Sequence, residues 1–155
     1  MSCLPYPMSA IYKASLQTVK PKPMAITKSD INLTINNYFT SFSGYKVDQY
    51  LAQLSETVTS YDPVGAAAPT SGIPAAREFF LGIANLMSDL TITPDHMEIT
   101  ADLKEVIVKW SAVGTSLSGK TVQFDGFDLF EMDSRAKIQT IKAYWQPETL
   151  ISQLN

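Results

Sequence analysis

The segment 121–132 (TVQFDGFDLFEM) combines the alternating pattern of a β-strand with an aspartate at an apolar position. Because successive strand side chains point to opposite faces, Asp128 shares its face with four apolar residues, namely Val122, Phe124, Phe130 and Met132. An ionised carboxylate is costly to bury, so the pattern predicts that Asp128 is protonated or strongly hydrogen-bonded. A glycine inside a strand can mark a bulge, and a bulge at Gly126 would turn Asp128 to the other face.

A second candidate, Tyr38, lies on the apolar stripe of a predicted helix, together with Ile31, Ile35, Phe39 and Phe42. This spacing predicts that the phenol points inward, where a tyrosine hydroxyl usually requires a hydrogen-bond partner. An inward phenol can serve a ligand in a pocket. The alternative is an ordinary core tyrosine that donates to a backbone carbonyl.

A third candidate, Asp62, follows a short predicted strand of β-branched residues at 56–61 (ETVTSY) and precedes Pro63. The proline favours an extended backbone at Asp62, and the junction of a strand and a loop is a common place for a side chain to meet a pocket mouth. Asp-Pro is also an ordinary way to open a turn, so the position alone leaves both interpretations open.

The remaining chemistry-bearing residues are few. Cys3 is the only cysteine, which excludes an internal disulfide framework and a cysteine-based zinc site. His96 is the only histidine, and its loop-to-strand context (PDHM) predicts a surface or edge residue. Arg77 lies off the apolar stripe of its predicted helix and Arg135 lies in a turn, so both are expected to be solvated. The pair at 144–145 (YW) is more typical of core or dimer packing than of catalysis.

Composition and charge exclude several classes of protein. The chain of 155 residues is 45% hydrophobic and 17% charged, which is ordinary for a globular domain. No apolar run approaches the ~20 residues that a membrane helix needs, so no membrane association is expected and a cytoplasmic location is predicted. All 15 acidic residues follow residue 29, whereas four lysines precede it. The acidic remainder would repel a phosphate backbone, so no nucleic-acid binding is expected. We interpret residues 1–27 as a poorly ordered extension.

The elements that must position the candidates form an α+β domain over residues 28–155. Three helices are predicted first: one opened by Ser29 and Asp30 and ended by Gly44, one over 47–54, and one that begins at Pro74 and carries an apolar stripe as far as Met87. Strands are then predicted over 92–100, 105–117, 120–132 and 137–145, with a short helix over 150–154. Helices that pack on a strongly curved antiparallel sheet cannot fill it, so we expect a closed-ended pocket.

Three segments carry a resemblance to a known family. Residues 62–65 (DPVG), 71–72 (SG) and 75–80 (AAREFF) resemble a segment of the bacterial Δ5-3-ketosteroid isomerases, which have a cone-like NTF2-type fold. The stretch between Tyr38 and Asp62 is similar to that family without a gap, and the resemblance extends over roughly 31–147. The final segment 143–147 (AYWQP) is more similar to the broader SnoaL-like, NTF2-like relatives.

The resemblance implies roles for the three candidates. Asp62 corresponds to the general base that moves a proton between two carbons of an apolar ketone, while Tyr38 and protonated Asp128 correspond to the donors for the enolate oxygen. It also implies no metal or organic cofactor, a small apolar substrate, and a homodimer formed through the outer face of the sheet.

Two other functions stay open at this point. One is a SnoaL-like polyketide cyclase that uses Asp62 or Asp128 for acid–base chemistry, and the other is a non-catalytic binding module for a flat apolar ligand. An epoxide hydrolase of the limonene type is disfavoured, because no arginine is well placed between two buried acids.

Overall fold

The structure, a computed structural model, describes residues 24–155, so most of the predicted extension lies outside the described residues. The helices of this part are α1 (Lys28–Thr40), α2 (Val47–Ala52), α3 (Ile73–Ala84) and α4 (Pro147–Leu154). Its strands are β1 (Leu54–Tyr61), β2 (Thr70–Ser71), β3 (Met87–Ile99), β4 (Glu105–Ser116), β5 (Thr121–Met132) and β6 (Ile138–Trp145). The predicted α+β fold, with helices packed on a curved sheet, is confirmed.

The six strands form one sheet in the order β2-β1-β6-β5-β4-β3. Strands β3 to β6 form the predicted antiparallel meander. The sheet as a whole is mixed, however, because β1 pairs with β6 in parallel, with Thr59 beside Thr140 and Ser60 beside Ile141. A parallel pair needs a long crossover connection. Here the chain between β1 and β6, which includes α3 and strands β3 to β5, supplies it.

The first helix begins earlier than the sequence predicted. Its N-cap is Thr27, whose hydroxyl accepts a hydrogen bond from the Asp30 backbone N–H at 3.2 Å, while the Asp30 carboxylate accepts one from the Thr27 N–H at 2.8 Å. The prediction of Ser29 and Asp30 as the opening pair was therefore wrong by two residues. Asp30 does contribute to the cap, but as the N3 residue of a capping box whose N-cap is Thr27.

The third helix ends sooner than its apolar stripe suggested. It stops at Ala84, and Met87 is already the first residue of β3, which starts five residues before the predicted position. Met87 and Leu90 are both buried, so the apolar residues beyond Ala84 belong to a strand that covers the same core. Helical and strand periods overlap over these few residues, which is why spacing alone misassigned them.

The central strand β5 keeps a regular register with β4 throughout. Gly126 lies opposite Trp110, and Asp128 lies opposite Val108, with no bulge between them. The predicted face is therefore confirmed: Val122, Asp128 and Phe130 are all buried on the concave side.

An aromatic cluster joins α1 to this concave side. The Tyr38 ring lies 5.1 Å from the Phe130 ring and 5.4 Å from that of Tyr50, which stacks on Phe80 at 4.5 Å. Such pairs are each worth about 0.5–1.5 kcal/mol beyond the area they bury, so they fix the side of α1 that faces the sheet. Among the described residues, no helix is long and apolar enough to cross a membrane.

Candidate active site

The helices and the concave face of the sheet enclose a cavity of about 180 Å³. Its wall is almost entirely apolar, and Tyr38, Asp62 and Asp128 all line it, as do the chain's two tryptophans. The remaining lining residues are Phe39, Phe42, Phe79, Ile83, Leu86, Met87, Leu90, Ile92, Phe124, Ala143 and Leu150. The three residues singled out in the sequence are thus brought together around one space.

Tyr38 reaches the cavity from α1 and is only 2% exposed. Within residues 24–155 its hydroxyl has no hydrogen-bond partner, so the alternative of a core tyrosine bonded to a backbone carbonyl does not apply. Burial raises the pKa of the phenol well above its usual value, and the neighbouring Tyr50, Asp128 and Asp62 raise it further. The hydroxyl therefore stays protonated and can donate a hydrogen bond to a ligand oxygen.

Asp128 reaches the cavity from the middle of β5 and is 4% exposed. Trp110, on the adjacent strand, donates its indole N–H to Asp128 Oδ1 at 2.9 Å. Burial raises the pKa of this carboxyl well above its usual value, and the charge of Asp62 raises it further, while the Trp110 hydrogen bond acts in the opposite direction. Desolvation dominates, so the protonated form predicted from the strand pattern is favoured.

Asp62 lies where β1 gives way to a turn, and it is partly exposed at the edge of the cavity. Trp145 donates its indole N–H to Asp62 Oδ1 at 2.7 Å. The following loop is tied to the sheet, because the Val64 N–H donates to the Ala143 carbonyl at 2.8 Å. Burial raises the pKa of Asp62, and the Trp145 hydrogen bond lowers it.

The two tryptophans were not identified in the sequence as part of the site. Trp110 and Trp145 flank the ring of Phe124, at 5.8 and 5.5 Å, and each holds one of the two carboxyl groups. The strand pattern contained a signal for Trp110, since Val106, Val108, Trp110 and Ala112 alternate inward along β4. Trp145 was assigned to packing, whereas its neighbour Tyr144 is the one that faces outward.

Gly126 makes room for both tryptophans. A Cβ atom at this position would lie 2.6 Å from the Trp110 ring, 2.7 Å from the Tyr144 carbonyl oxygen and 2.8 Å from Trp145 Cβ. These distances are far below van der Waals contact, so any side chain here would displace the donors of the two carboxyl groups. The glycine thus serves close packing of the site, and the strand continues through it without a bulge.

The other candidates lie away from the cavity. His96 is exposed and contacts Glu98, as its sequence context predicted. Arg77 forms an exposed ion pair with Asp48, and Arg135 is exposed, so neither arginine lines the cavity with Asp62 and Asp128. Among residues 24–155, no group of three or more His, Cys, Asp or Glu side chains is arranged to hold a metal ion.

This arrangement is suited to proton transfer. An apolar pocket holds one partly exposed carboxyl group, Asp62, and one buried carboxyl group, Asp128, whose pKa burial raises well above its usual value, and a phenol lines the same space. Two titratable groups whose environments separate their pKa values can act as the base and the acid of one reaction.

Comparison with solved structures places the fold among proteins of several activities. SalBIII, an epoxide hydrolase/cyclase-like enzyme of pyran ring formation in the polyether salinomycin, is 26% identical over 76% of this chain and 92% of its own, with a TM-score of 0.68. A candidate polyketide cyclase from Xanthomonas campestris pv. campestris is 15% identical over 82% of this chain and 98% of its own, with a TM-score of 0.73. Rv0760c from Mycobacterium tuberculosis, in complex with estradiol-17β-hemisuccinate, is 16% identical over 77% and 96%, with a TM-score of 0.69.

The sequence itself identifies the family. No match to a curated protein was found. The profile of the SnoaL-like domain, however, matches residues 35–141, which include Tyr38, Asp62 and Asp128 and most of the cavity wall. Since this match covers more than half of the chain and agrees with the cone-like NTF2 fold of the neighbours, the protein belongs to the SnoaL-like domain family.

Proposed function

We propose that the protein is an acid–base enzyme that isomerises an apolar, β,γ-unsaturated ketone into its conjugated form. The observation that carries this proposal is the pair of carboxyl groups on one apolar cavity, where burial and the charge of Asp62 raise the pKa of Asp128 well above its usual value. Asp62, which is partly exposed and accepts a hydrogen bond from Trp145, is the group that ionises.

In the proposed reaction the carboxylate of Asp62 removes a proton from the carbon between the ketone and the double bond. The resulting dienolate oxygen accepts hydrogen bonds from the Tyr38 hydroxyl and the Asp128 carboxyl. Asp62 then returns the proton to the far carbon of the former double bond. No atom is gained or lost, and no redox step is needed.

The hydrogen bond from Trp110 assigns the two oxygens of Asp128 different tasks. Oδ1 accepts from the indole, so it can carry no proton on that side, and Oδ2 is the oxygen that bears the acidic hydrogen. Because Oδ1 already accepts a hydrogen bond, the Asp128 carboxyl group can donate its single proton in one direction only. Loss of one such donor typically slows an enzyme by about 10²–10³-fold.

The test is direct. Pure protein is mixed with β,γ-unsaturated ketones of one to four rings, and the conjugated product is followed by its ultraviolet absorbance. We expect turnover of at least one of them, and we expect Asp62→Asn to slow it by about 10²–10⁴-fold. Absence of turnover with every ketone, together with saturable binding, would favour the non-catalytic binding module, an alternative that the steroid complex of Rv0760c makes relevant.

A second candidate function is ring closure of a polyketide-derived alcohol. The 26% identity to SalBIII, over nearly the whole of that chain, favours it. The same groups would suffice: Asp62 would take the proton of an attacking hydroxyl, and Asp128 would protonate the oxygen that leaves. The two reactions are distinguished by their products, since isomerisation forms a conjugated ketone with strong ultraviolet absorbance, whereas ring closure consumes a hydroxyl group and forms a new C–O bond.

We also propose that the protein forms a homodimer through the outer face of the sheet. Phe127 and Tyr144 are paired across β5 and β6 and are each 47% exposed, and Ile107 and Val113 on β4 are exposed to a similar extent. The neighbouring rings of Phe127 and Tyr144 form the apolar centre of this face, and contiguous exposed apolar residues mark interaction surfaces. Sedimentation of the wild type and of Phe127→Glu tests this: we expect a dimer for the first and a monomer for the second, and a monomeric wild type contradicts it.

A further inference from the structure

We infer that α4 limits the ligand of this cavity to compounds of about one ring, through contact by Leu150 and through a peptide-like anchor formed by Gln153. The inference deepens the proposed function by naming its substrate class, and only the identity of the ligand as an enone rests on that function. The limit on size rests on the cavity and on α4 alone.

The volume of the cavity sets the scale. A cavity of roughly 150 Å³ lined by leucine, isoleucine and phenylalanine holds one benzene molecule, whereas pockets for drug-sized ligands span roughly 300–1,000 Å³. The cavity here, at about 180 Å³, is near the first value and well below the second. A four-ring compound therefore needs more space than the pocket provides between the sheet and the helices.

Leu150 is the part of α4 that takes up this space. Helix α4 follows directly after β6, so Trp145, which holds Asp62, and Leu150, which lines the cavity, are only five residues apart. No residue of α4 is fully buried, and Leu150 and Leu154 are the two that pack against the core. Apolar burial alone thus fixes α4 weakly, and polar contacts must contribute to its position.

Those contacts come from Gln153. Strand β6 pairs with β5 only from Gly126 onward, so the first residues of β5 have no β6 neighbour on that edge. There the Gln153 side chain accepts a hydrogen bond from the Gln123 N–H at 2.8 Å and donates one to the Gln123 carbonyl at 2.7 Å. Its amide therefore makes the two hydrogen bonds that a peptide group of a neighbouring strand would make with Gln123.

A second, weaker tie lies beside it. Lys120 Nζ donates to the backbone oxygen of Asn155 at 2.7 Å, on the exposed surface. The Gln153 pair is the more specific of the two, because only a primary amide offers both a donor and an acceptor in the spacing of a backbone peptide. Removing the amide should free α4 and enlarge the space below it.

The experiment measures binding, so that it does not depend on turnover. Both tryptophans of the chain line the cavity, so intrinsic fluorescence reports occupancy directly. The ligands are 2-cyclohexen-1-one, with one ring, and 4-androstene-3,17-dione, with four. The variants are Leu150→Ala and Gln153→Ala, and the matched control is Ile151→Ala, which alters an α4 residue that is 54% exposed. Circular dichroism verifies the fold of each variant.

We expect the wild type and Ile151→Ala to bind the one-ring enone and to bind the steroid at least about tenfold more weakly than Leu150→Ala and Gln153→Ala do. Wild-type affinity for the steroid equal to that of both variants overturns the inference, as does a wild type that binds the steroid but not the one-ring enone. The two proposals fail separately: a wild type that binds the one-ring enone but isomerises no ketone refutes the enzyme and leaves the size limit intact. Rapid turnover of a steroid refutes the size limit and supports the enzyme.

Discussion

The indole of Trp110 donates a hydrogen bond to Asp128 Oδ1 at 2.9 Å, between adjacent strands and inside an apolar wall. This bond satisfies one oxygen of a carboxyl group that is 4% exposed, so the second oxygen is the one available to carry a proton. An indole N–H can only donate, so this hydrogen bond opposes the rise that burial causes in the pKa of Asp128, and the indole does not compete for the proton.

The first prediction concerns that bond. Trp110→Phe removes the N–H and keeps an aromatic ring, so the pKa of Asp128 should rise further, since the hydrogen bond is the influence that lowers it. Leaving a buried oxygen without its donor should also cost about 1–3 kcal/mol of unfolding free energy. Carboxyl titration by NMR and urea denaturation measure the two effects. A pKa of Asp128 that falls would show that water replaces the indole.

A second prediction concerns pH and stability. In the folded protein the pKa of Asp128 lies above its ordinary value of 3.8, so between these two pH values the folded state binds more protons than the unfolded state. This carboxyl group therefore contributes its full stability below the unfolded pKa and loses it as the pH rises through the folded pKa. Asp128→Asn does not titrate, so its stability relative to wild type should increase over that range and then level off. Urea denaturation at a series of pH values measures it, and a difference that is independent of pH contradicts it.

The third prediction concerns catalysis. Asp62→Asn keeps the shape of the side chain and its contact with Trp145 but removes the base, so turnover should fall by about 10²–10⁴-fold. Ligand binding and unfolding free energy should change little. The measurement is kcat on the best ketone, with His96→Asn as the control, because His96 is exposed and lies outside the cavity. Unchanged turnover in Asp62→Asn would mean that another group is the base.

A fourth prediction concerns the two hydrogen-bond donors. Tyr38→Phe and Asp128→Asn should each slow turnover by about 10²–10³-fold. Because both groups donate to one oxygen, the double variant should lose less than the product of the two single effects. Steady-state kinetics of the four proteins give the coupling. Fully additive losses would indicate that the two groups serve different atoms of the substrate.

The fifth prediction concerns Gly126. Gly126→Ala places a Cβ within 2.6–2.8 Å of the Trp110 ring, of Trp145 and of a backbone oxygen, so it should cost about 1–3 kcal/mol of unfolding free energy and disturb the hydrogen bonds to both carboxyl groups. Gly82→Ala in α3 is the control, because its Cβ meets nothing within 4 Å and alanine favours a helix. Similar stabilities for the two variants would contradict the packing role of Gly126.

Much of this site could be predicted because its residues lie in regular elements. The alternation of side chains along β5 predicted the buried face of Asp128, and the helical spacing of apolar residues in α1 predicted that Tyr38 points inward. Each prediction depends only on the residues of one element. The partners of the carboxyl groups could not be found in the same way. Trp145 lies 83 residues from Asp62, and no local pattern specifies that distance. The parallel pairing of β1 with β6 escaped prediction for the same reason.

That parallel pairing also governs the order in which the molecule can assemble. Strand β1 finds its main neighbour only in β6, the last strand, so the two halves of the site belong to opposite ends of the folding chain. Contacts of such long sequence separation are closed late and make folding slow. On the ribosome, α1 and its aromatic residues emerge well before the strand that completes the sheet beside β1. The cavity therefore comes into being only after β6 has emerged and paired with both β1 and β5.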